Sequence, residues 1–319
     1  MKPVLIFSGN GDSHAEHMSN VMRELNIEHF LFFTDQYPFN VQLTFHSPEV
    51  VISYNGISLS ITQEWNIWNR RLFPIEFPQG FPQNLEKMVT DETTTTLQGL
   101  MVSHTGLVVN NPFNNHLANN KLEQLKRASS FGLSVPDTII TNNPKDALDF
   151  YHKHDGDIIF KMQKLPLVED EGKYSTVLTQ RLKSEDLQNF EMVRNNPCCF
   201  QNYIDKDYEI RLIVIDKKLF PIAIYSQLSD YSKNDFRRYD FDKVKYEIMN
   251  IPEDLKVKVN SLVDSYGLHY AAIDIIKRPN GQYVFLEINP NGQYLWVEEL
   301  SGTPITEYFA KYLAGISDE

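Results

Sequence analysis

Two short apolar runs late in the chain each carry oxygen-bearing side chains: Ala272-Ile273-Asp274-Ile275-Ile276 and Phe285-Leu286-Glu287-Ile288-Asn289-Pro290. Glu287 and Asn289 are two residues apart, so on a strand they share a face, and Asp274 on a neighbouring strand meets them there. Two carboxylates and an amide carbonyl form a hard-oxygen set suited to magnesium, which keeps several waters and bridges to phosphates. A surface hairpin with scattered acids accounts for the pattern poorly, because the acids interrupt strands that are otherwise apolar and burying unpaired charge is costly. Upstream, Glu209 and Arg211 share a strand face, and a guanidinium fork suits phosphoryl oxygens. Two other patterns are weaker. Gly9 and Gly11 fit part of a dinucleotide fingerprint, but the third glycine position is His14, which favours a plain strand-to-helix turn. His14 and His17 are spaced like a helical metal pair without an accompanying carboxylate motif, which favours capping or surface roles.

Hydrophobic periodicity supplies the elements that hold these residues. Val4 to Ser8 reads as a strand, Ala15 to Leu25 as a helix and His29 to Phe33 as a second strand, followed by short strands at Val50 to Tyr54 and Ile57 to Ile61. Asp91-Glu92, four threonines and Leu97, Leu100 and Met101 predict a helix with its acids near the positive N-terminus. Asn119-Asn120 caps a helix carrying Leu122, Leu125 and Ala128 that stops at Gly132. A strand at Thr138 to Thr141, a helix at Pro144 to Lys153 and a strand at Ile158 to Lys161 follow. Residues 168–172 read as a hairpin tip. From Cys198 the chain is dense in strands (Cys199 to Tyr203, Tyr208 to Ile215, Leu219 to Ser226, Ala271 to Lys277, Tyr283 to Ile288), an antiparallel half interrupted by a helix at Glu253 to Tyr266 and closed by one at Ile305 to Leu313.

The chain has 319 residues, an ordinary globular composition with 42% hydrophobic residues and 23% charged ones, and room for two or three subdomains. Its net charge of −12 argues against broad phosphate neutralisation on nucleic acid. The adjacent Cys198 and Cys199, its only cysteines, suit neither a disulfide framework nor a paired zinc site. A reducing compartment is the simplest setting. The apolar run at the start is too short for a signal peptide or a membrane span. These features predict a cytoplasmic protein with no nucleic-acid or membrane partner.

From about Asn119 to Trp296 the chain resembles the ATP-grasp ligases. The stretch K-L-E-Q-L-K-R-A-S-S-F-G-L-S-V-P-D-T resembles the family segment whose first lysine contacts nucleotide phosphate, here Lys121. I-I-F-K resembles its second phosphate lysine, here Lys161. C-F-Q-N-Y-I with Y-E-I-R resembles the hinge that holds adenine and ribose. The resemblance implies that Gln201 and the Tyr203 backbone meet the adenine edge and Ile204 its face, that Leu286 also contacts ATP, and that Glu209 meets the ribose hydroxyls. It also implies that Arg211 and Arg237 clamp the γ-phosphate and that Asp274, Glu287 and Asn289 hold Mg2+. The glycine-rich loop expected after Lys161 is missing. One branch lacks it too: the synthetases that macrocyclise ribosomally made peptides, of microviridin type. That branch combines W-x-R-R, D-F-R and E-I-N-P-x-G-Q-Y-L-W-x-E, and here Trp68 to Arg71, Asp235 to Arg237 and Glu287 to Glu298 stand in those places.

The resemblance implies a mixed α/β, three-part ATP-grasp fold: a pre-ATP-grasp α/β domain over 1–115, a central domain over 116–200 and a C-terminal antiparallel-sheet domain over 201–319. It implies ATP and Mg2+, and as partner a precursor peptide with a leader and an acidic Thr/Ser-rich core. An Asp or Glu carboxylate would become an acyl phosphate and be captured by a Ser or Thr hydroxyl or a Lys amine. Asp235 is the candidate base. The segment 164–180, with Glu169, Asp170 and Glu171, is a candidate leader site, and Arg70 and Arg71 are candidates for the core-peptide side, where Trp65 and Trp68 read as packing. Relatives suggest a homodimer. The rival readings are a glutamate- or amino-acid-adding ligase, a non-catalytic ATP-binding scaffold and a dinucleotide oxidoreductase.

Overall fold

The computed structural model describes residues 1–46, 49–164, 167–170, 173–176, 179–228 and 243–316. The N-terminal part runs β1 (Val4–Ser8), α1 (Ser13–Glu24), β2 (His29–Phe33), β3 (Gln42–His46), β4 (Glu49–Tyr54), β5 (Ile57–Ile61), β6 (Asn66–Asn69), α2 (Gln83–Ser103) and β7 (Val108–Val109). Strands β2-β1-β6-β7 form a parallel sheet, and β3-β4-β5 a small antiparallel one. Next come α3 (Pro112–Ala118), α4 (Lys121–Ser130), β8 (Thr138–Thr141), α5 (Pro144–Lys153), β9 (Ile158–Lys161), β10 (Leu167–Asp170), β11 (Lys173–Thr176), β12 (Gln180–Arg181), a 3-10 segment at Ser184–Asn195 and β13 (Cys198–Asn202). Here β12-β9-β13-β8 form a sheet, while β10 and β11 pair with each other as a hairpin. The last part is β14 (Tyr208–Ile215), β15 (Lys218–Ile224), β16 (Tyr246–Ile248), α6 (Glu253–Ser265), β17 (Tyr270–Lys277), β18 (Tyr283–Asn289), α7 (Leu295–Ser301) and α8 (Ile305–Leu313). Its antiparallel sheet has the order β16-β15-β14-β17-β18.

Burial divides the molecule differently from the chain order. One core joins Val4, Ile6, Trp68 and Val109 of the N-terminal sheet to Ile213, Ile222, Tyr270 and Ala272 of the C-terminal sheet and to Phe309 of α8. Opposite it, Ile210, Leu212 and Ile273 pack on α6 and on Ala118 and Ala128 of α3 and α4. The sheet β12-β9-β13-β8 has a separate core around Phe150, Ile158, Phe190 and Phe200. The seam between the first and last sheets is held by buried amides. Asn110 donates to the carbonyls of Tyr270 (2.8 Å) and Pro290 (2.9 Å) and accepts from the amides of His269 (2.8 Å) and Tyr270 (3.0 Å). Such an amide is fully used, as burial requires.

Several local expectations shift. Asp91 and Glu92 do not open a helix: α2 begins after Pro82, its first-turn acid is Glu86, and the two acids lie mid-helix. Leu122 is 62% exposed, so the face α4 buries starts at Gln124 and Ala128. Gly9 serves packing, since a Cβ there would lie 2.3 Å from the Phe73 ring. The amide of Asn10 donates to Asp35 (3.0 and 3.2 Å), and Asp12 caps α1 by accepting from the amides of His14 and Ala15. Carboxylates thus already occupy the amides that a dinucleotide phosphate would need. Trp65 and Trp68 are both buried.

His14 is also buried, and its Nε2 accepts from the backbone amides of Tyr294 (3.1 Å) and Leu295 (3.2 Å) at the start of α7. Burial, reinforced by Arg70, lowers its pKa to about 4. The unfolded chain therefore binds a proton that the folded chain refuses between the ordinary histidine pKa and about 4, so stability falls as pH drops through that window. Loss of up to ~3 kcal/mol by pH 4 is expected from this residue. Urea midpoints at pH 7 and pH 5 should separate less in His14→Gln than in the natural chain; equal separations would reject the assignment.

Candidate active site

Strands β14, β17 and β18 carry one lateral row of charge. In the ladder Arg211 pairs with Asp274 and Asp274 with Glu287, so the three side chains stand together on one face. Further along the same face, Ile213 and Ala272 enter the shared core, so one sheet surface changes from site to packing within two residues. Arg211 Nη1 lies 2.8 Å from Asp274 Oδ1, and its Nη2 donates to the Gln293 carbonyl (2.8 Å). Its Nε is buried with no partner among the described residues. Burial disfavours the Arg211 charge, but Asp274 more than compensates and holds the pKa above the ordinary arginine value.

Lys121 opens α4, and its Nζ is 2.6 Å from Glu287 Oε2; Lys161 ends β9 with its Nζ 3.9 Å from the same oxygen. Asn289 Nδ2 donates to Glu287 Oε1 (3.1 Å). Burial pushes the Glu287 pKa up, but Lys121, Lys161 and Asn289 outweigh it and hold the carboxyl well below the usual range. Gln124 sets this geometry. Its buried amide donates to the Ile288 carbonyl (2.8 Å) and accepts from the Ile288 amide (3.2 Å), clipping α4 to β18 one turn from Lys121.

These residues line a cleft of about 720 Å3 between the central and C-terminal sheets, within the usual range for small-molecule sites. Lys121, Lys161, Gln201, Tyr203, Ile204, Glu209, Arg211, Asp274, Leu286, Glu287, Asn289 and Arg71 all reach it. Leu286 and Glu287 are adjacent yet both face the cleft because the ladder with β17 skips a register at Leu286, a bulge that re-aims the strand. Gln201 donates to Thr138 Oγ1 (3.0 Å), and Glu209 is held by Lys206 and Ser226. The Tyr203 amide already donates to the Asp157 carbonyl (2.9 Å) and its ring stacks on Arg181, so its backbone donor is not available to adenine.

Arg70 is placed elsewhere. It is 4% exposed, with Nε 3.4 Å from Asp12 Oδ2 and Nη1 donating to the Asn291 carbonyl (3.0 Å). Asn291 returns two bonds to the carbonyls of Asn69 (3.0 Å) and Arg70 (2.9 Å). Arg70 thus braces the turn after Asn289 rather than lining the cleft. Asn69, Asn110, Gln124 and Asn291 carry this bracing, and their only signal in the sequence is amides inside or beside apolar runs. Asp235, Arg237 and Glu171 lie outside the described residues; Glu169 and Asp170 are in β10, paired with β11.

The donor set fits a nucleoside triphosphate with a divalent cation: lysines from two directions, an arginine with a spare buried donor, and two carboxylates with an amide. Residues 118–313 match the RimK-like ATP-grasp domain, and residues 3–116 match the MvdD pre-ATP grasp domain. The chain belongs to the RimK-like ATP-grasp family, a family of ligases that use ATP with Mg2+. It is similar along its whole length to a Chryseobacterium gregarium RiPP-associated ATP-grasp ligase solved with ADP and a leader and core peptide (26% identity, 100% of this chain and 98% of that one, TM-score 0.90). It is also similar to the macrocyclase MdnC from Microcystis aeruginosa MRC, solved with the precursor peptide MdnA (26% identity, 98% and 99% coverage, TM-score 0.87). A curated relative, the alpha-aminoadipate–LysW ligase LysX of Sulfurisphaera tokodaii, is 24% identical over 200 residues, which span 60% of this chain and 66% of that ligase.

Gly292 tests the arrangement. A Cβ there would lie 2.4 Å from Ala272 Cβ and 2.9 Å from Arg211 Nη2. Gly292→Ala should cost about 1–3 kcal/mol of stability, the usual penalty for overpacking, and displace Arg211. Thermal melting together with nucleotide-binding calorimetry would check this: normal stability with normal affinity would show that the approach is not tight.

Proposed function

We propose that this protein macrocyclises a ribosomally made peptide by activating Asp or Glu side chains with ATP and joining them to Ser or Thr hydroxyls or to Lys amines. The observation that carries the reading is the Arg211–Asp274–Glu287 row facing Lys121 and Lys161 in one cleft. Full-length likeness to two ligases solved with precursor peptides supports the choice of substrate.

In this reading Asp274, Glu287 and Asn289 would hold Mg2+, which when bound would supply positive charge to neutralise the phosphoryl oxygens. Lys121 and Lys161 turn from Glu287 to the phosphate oxygens, and Arg211, with Arg237, binds the γ-phosphoryl group through donors such as the unpaired Nε. Gln201, Ile204 and Leu286 hold adenine and Glu209 the ribose. The peptide carboxylate displaces ADP to give an acyl phosphate, and the hydroxyl or amine then displaces phosphate. Each closed bond removes the elements of one water from the peptide.

The β10–β11 hairpin supports leader docking: among the described residues each strand pairs only with the other, so both outer edges keep open backbone groups for β-addition. No described helix is long and apolar enough to cross a membrane. A cytoplasmic location, an acidic Thr/Ser-rich core and a homodimeric assembly complete the reading. The match to LysX favours a second reading, in which a free amino acid is the acceptor.

The test is the intact mass of a candidate precursor, a small acidic, Thr/Ser-rich peptide sought among the open reading frames next to this gene, after incubation with enzyme, ATP and Mg2+. Loss of whole waters is expected; gain of an amino-acid mass would favour the second reading, and an unchanged peptide would reject the cyclase. Glu287→Gln should remove Mg2+-dependent turnover by about a hundredfold or more, as loss of a metal ligand in phosphoryl transfer does. Retention of turnover would remove Glu287 from the metal set.

A further inference from the structure

The cleft walls differ in origin. Ile159, Lys161, Gln201 and Tyr203 come from the central sheet and its exit, and Arg211, Asp274 and Glu287 from the C-terminal sheet. A third wall comes from the N-terminal half: Arg71, Gln98 and helix α3 with its C-cap, whose Pro112, Asn115, His116 and Asn119 are spaced as one helical face. The nucleotide and metal assignments leave that face unused.

Asn115 is 5% exposed, and its Oδ1 has no hydrogen-bond partner among the described residues. Burial of an unpaired amide oxygen is unfavourable, so the group is set to receive a donor. The next residue, His116, is exposed at the cleft edge with no ion pair or hydrogen bond among the described residues. Other described lining groups that could take a proton are committed: Glu209 to Lys206 and Ser226, Asp274 to Arg211, Glu287 to Lys121 and Asn289. The remaining lining charges, Arg71, Lys161 and Lys164, are cations. The wall also adjoins the phosphate end. Helix α3 runs through Asn119 and Asn120 into Lys121, and Arg71 follows Arg70, which is bonded to Asn291 two residues before the Gln293 carbonyl that holds Arg211.

We infer that this face of α3 is the acceptor site of the ring-closing step, with Asn115 holding the backbone N–H of the acceptor residue and His116 removing the proton from its hydroxyl or amine. The inference rests on the cyclase reading above. The acceptor oxygen or nitrogen bonds to the carbonyl carbon of the acyl phosphate. The bond from that carbon to the bridging oxygen breaks, and phosphate leaves with the electron pair. The acceptor's proton passes to a ring nitrogen of His116 and from there to water.

The experiment uses the full chain with its precursor peptide, ATP and Mg2+. Ring closure is followed by intact mass, and the activated carboxylate is trapped as a hydroxamate with hydroxylamine. His116→Ala should slow ring closure by about a hundredfold or more while hydroxamate still forms, and added imidazole should restore closure. Asn115→Ala should slow closure without imidazole rescue. Undiminished closure in His116→Ala, or a loss that imidazole fails to restore, overturns the inference. If the natural enzyme closes no ring, the cyclase reading itself falls, and its unmodified peptide shows this before any variant is made.

Discussion

Carboxylates on the face of an apolar sheet stay charged only if cations reach them, and much of the architecture around β17 and β18 serves that requirement. Asp274 is answered within the sheet by Arg211 on the next strand. Glu287, at the sheet edge, is answered from outside, by Lys121 on a helix and Lys161 on another sheet. Removing either cation would leave a desolvated anion, which is far worse than never having placed the charge. The bracing amides follow from this: Gln124 fixes the helix, Asn291 fixes the turn, and Gly292 allows the turn to approach Arg211.

The same charges suit a triphosphate. In the proposed reading the lysines that neutralise Glu287 turn to phosphate oxygens, and Glu287, so released, joins Asp274 as a ligand for a cation. Charge would then be exchanged between partners rather than created, and the site would need little reorganisation to accept its substrate. Arg211 differs, because its two bonded nitrogens stay engaged while Nε remains to donate.

Local pattern carried much of this into view from the sequence. The β17–β18 hairpin is readable because apolar alternation and an Asn280-Gly281 turn lie side by side in the chain, and the strand and helix limits at Tyr208–Ile215, Pro144–Lys153 and Ile305–Leu313 follow from periodicity and caps. The failures have a common cause. Strand β6 is buried on both faces, so Asn66 and Asn69 break any alternation, and their roles appear only once Leu313 and Asn110 have been brought beside them. Arg70 looks like a ligand-binding cation until Asp12, 58 positions earlier, is seen to cover it. The start of α2 has no local cue, since Pro82 supplies no side-chain cap, and the acids at 91 and 92 are the stronger but misleading signal. The bulge at Leu286 depends on cross-strand register, which has no local signature.

The distribution of cores has a consequence for how such chains can diverge. The first and last sheets share one apolar interior, so a segment of either transplanted from a relative must match side chains contributed by the other. The central sheet keeps its interior to itself, built from Phe150, Phe190 and Phe200, and it carries the β10–β11 hairpin. It is therefore the natural unit of exchange: recombination there would leave the shared interior and the Arg211–Asp274–Glu287 row in place, but the incoming sheet would have to supply its own lysine at the end of β9 and its own glutamine in β13.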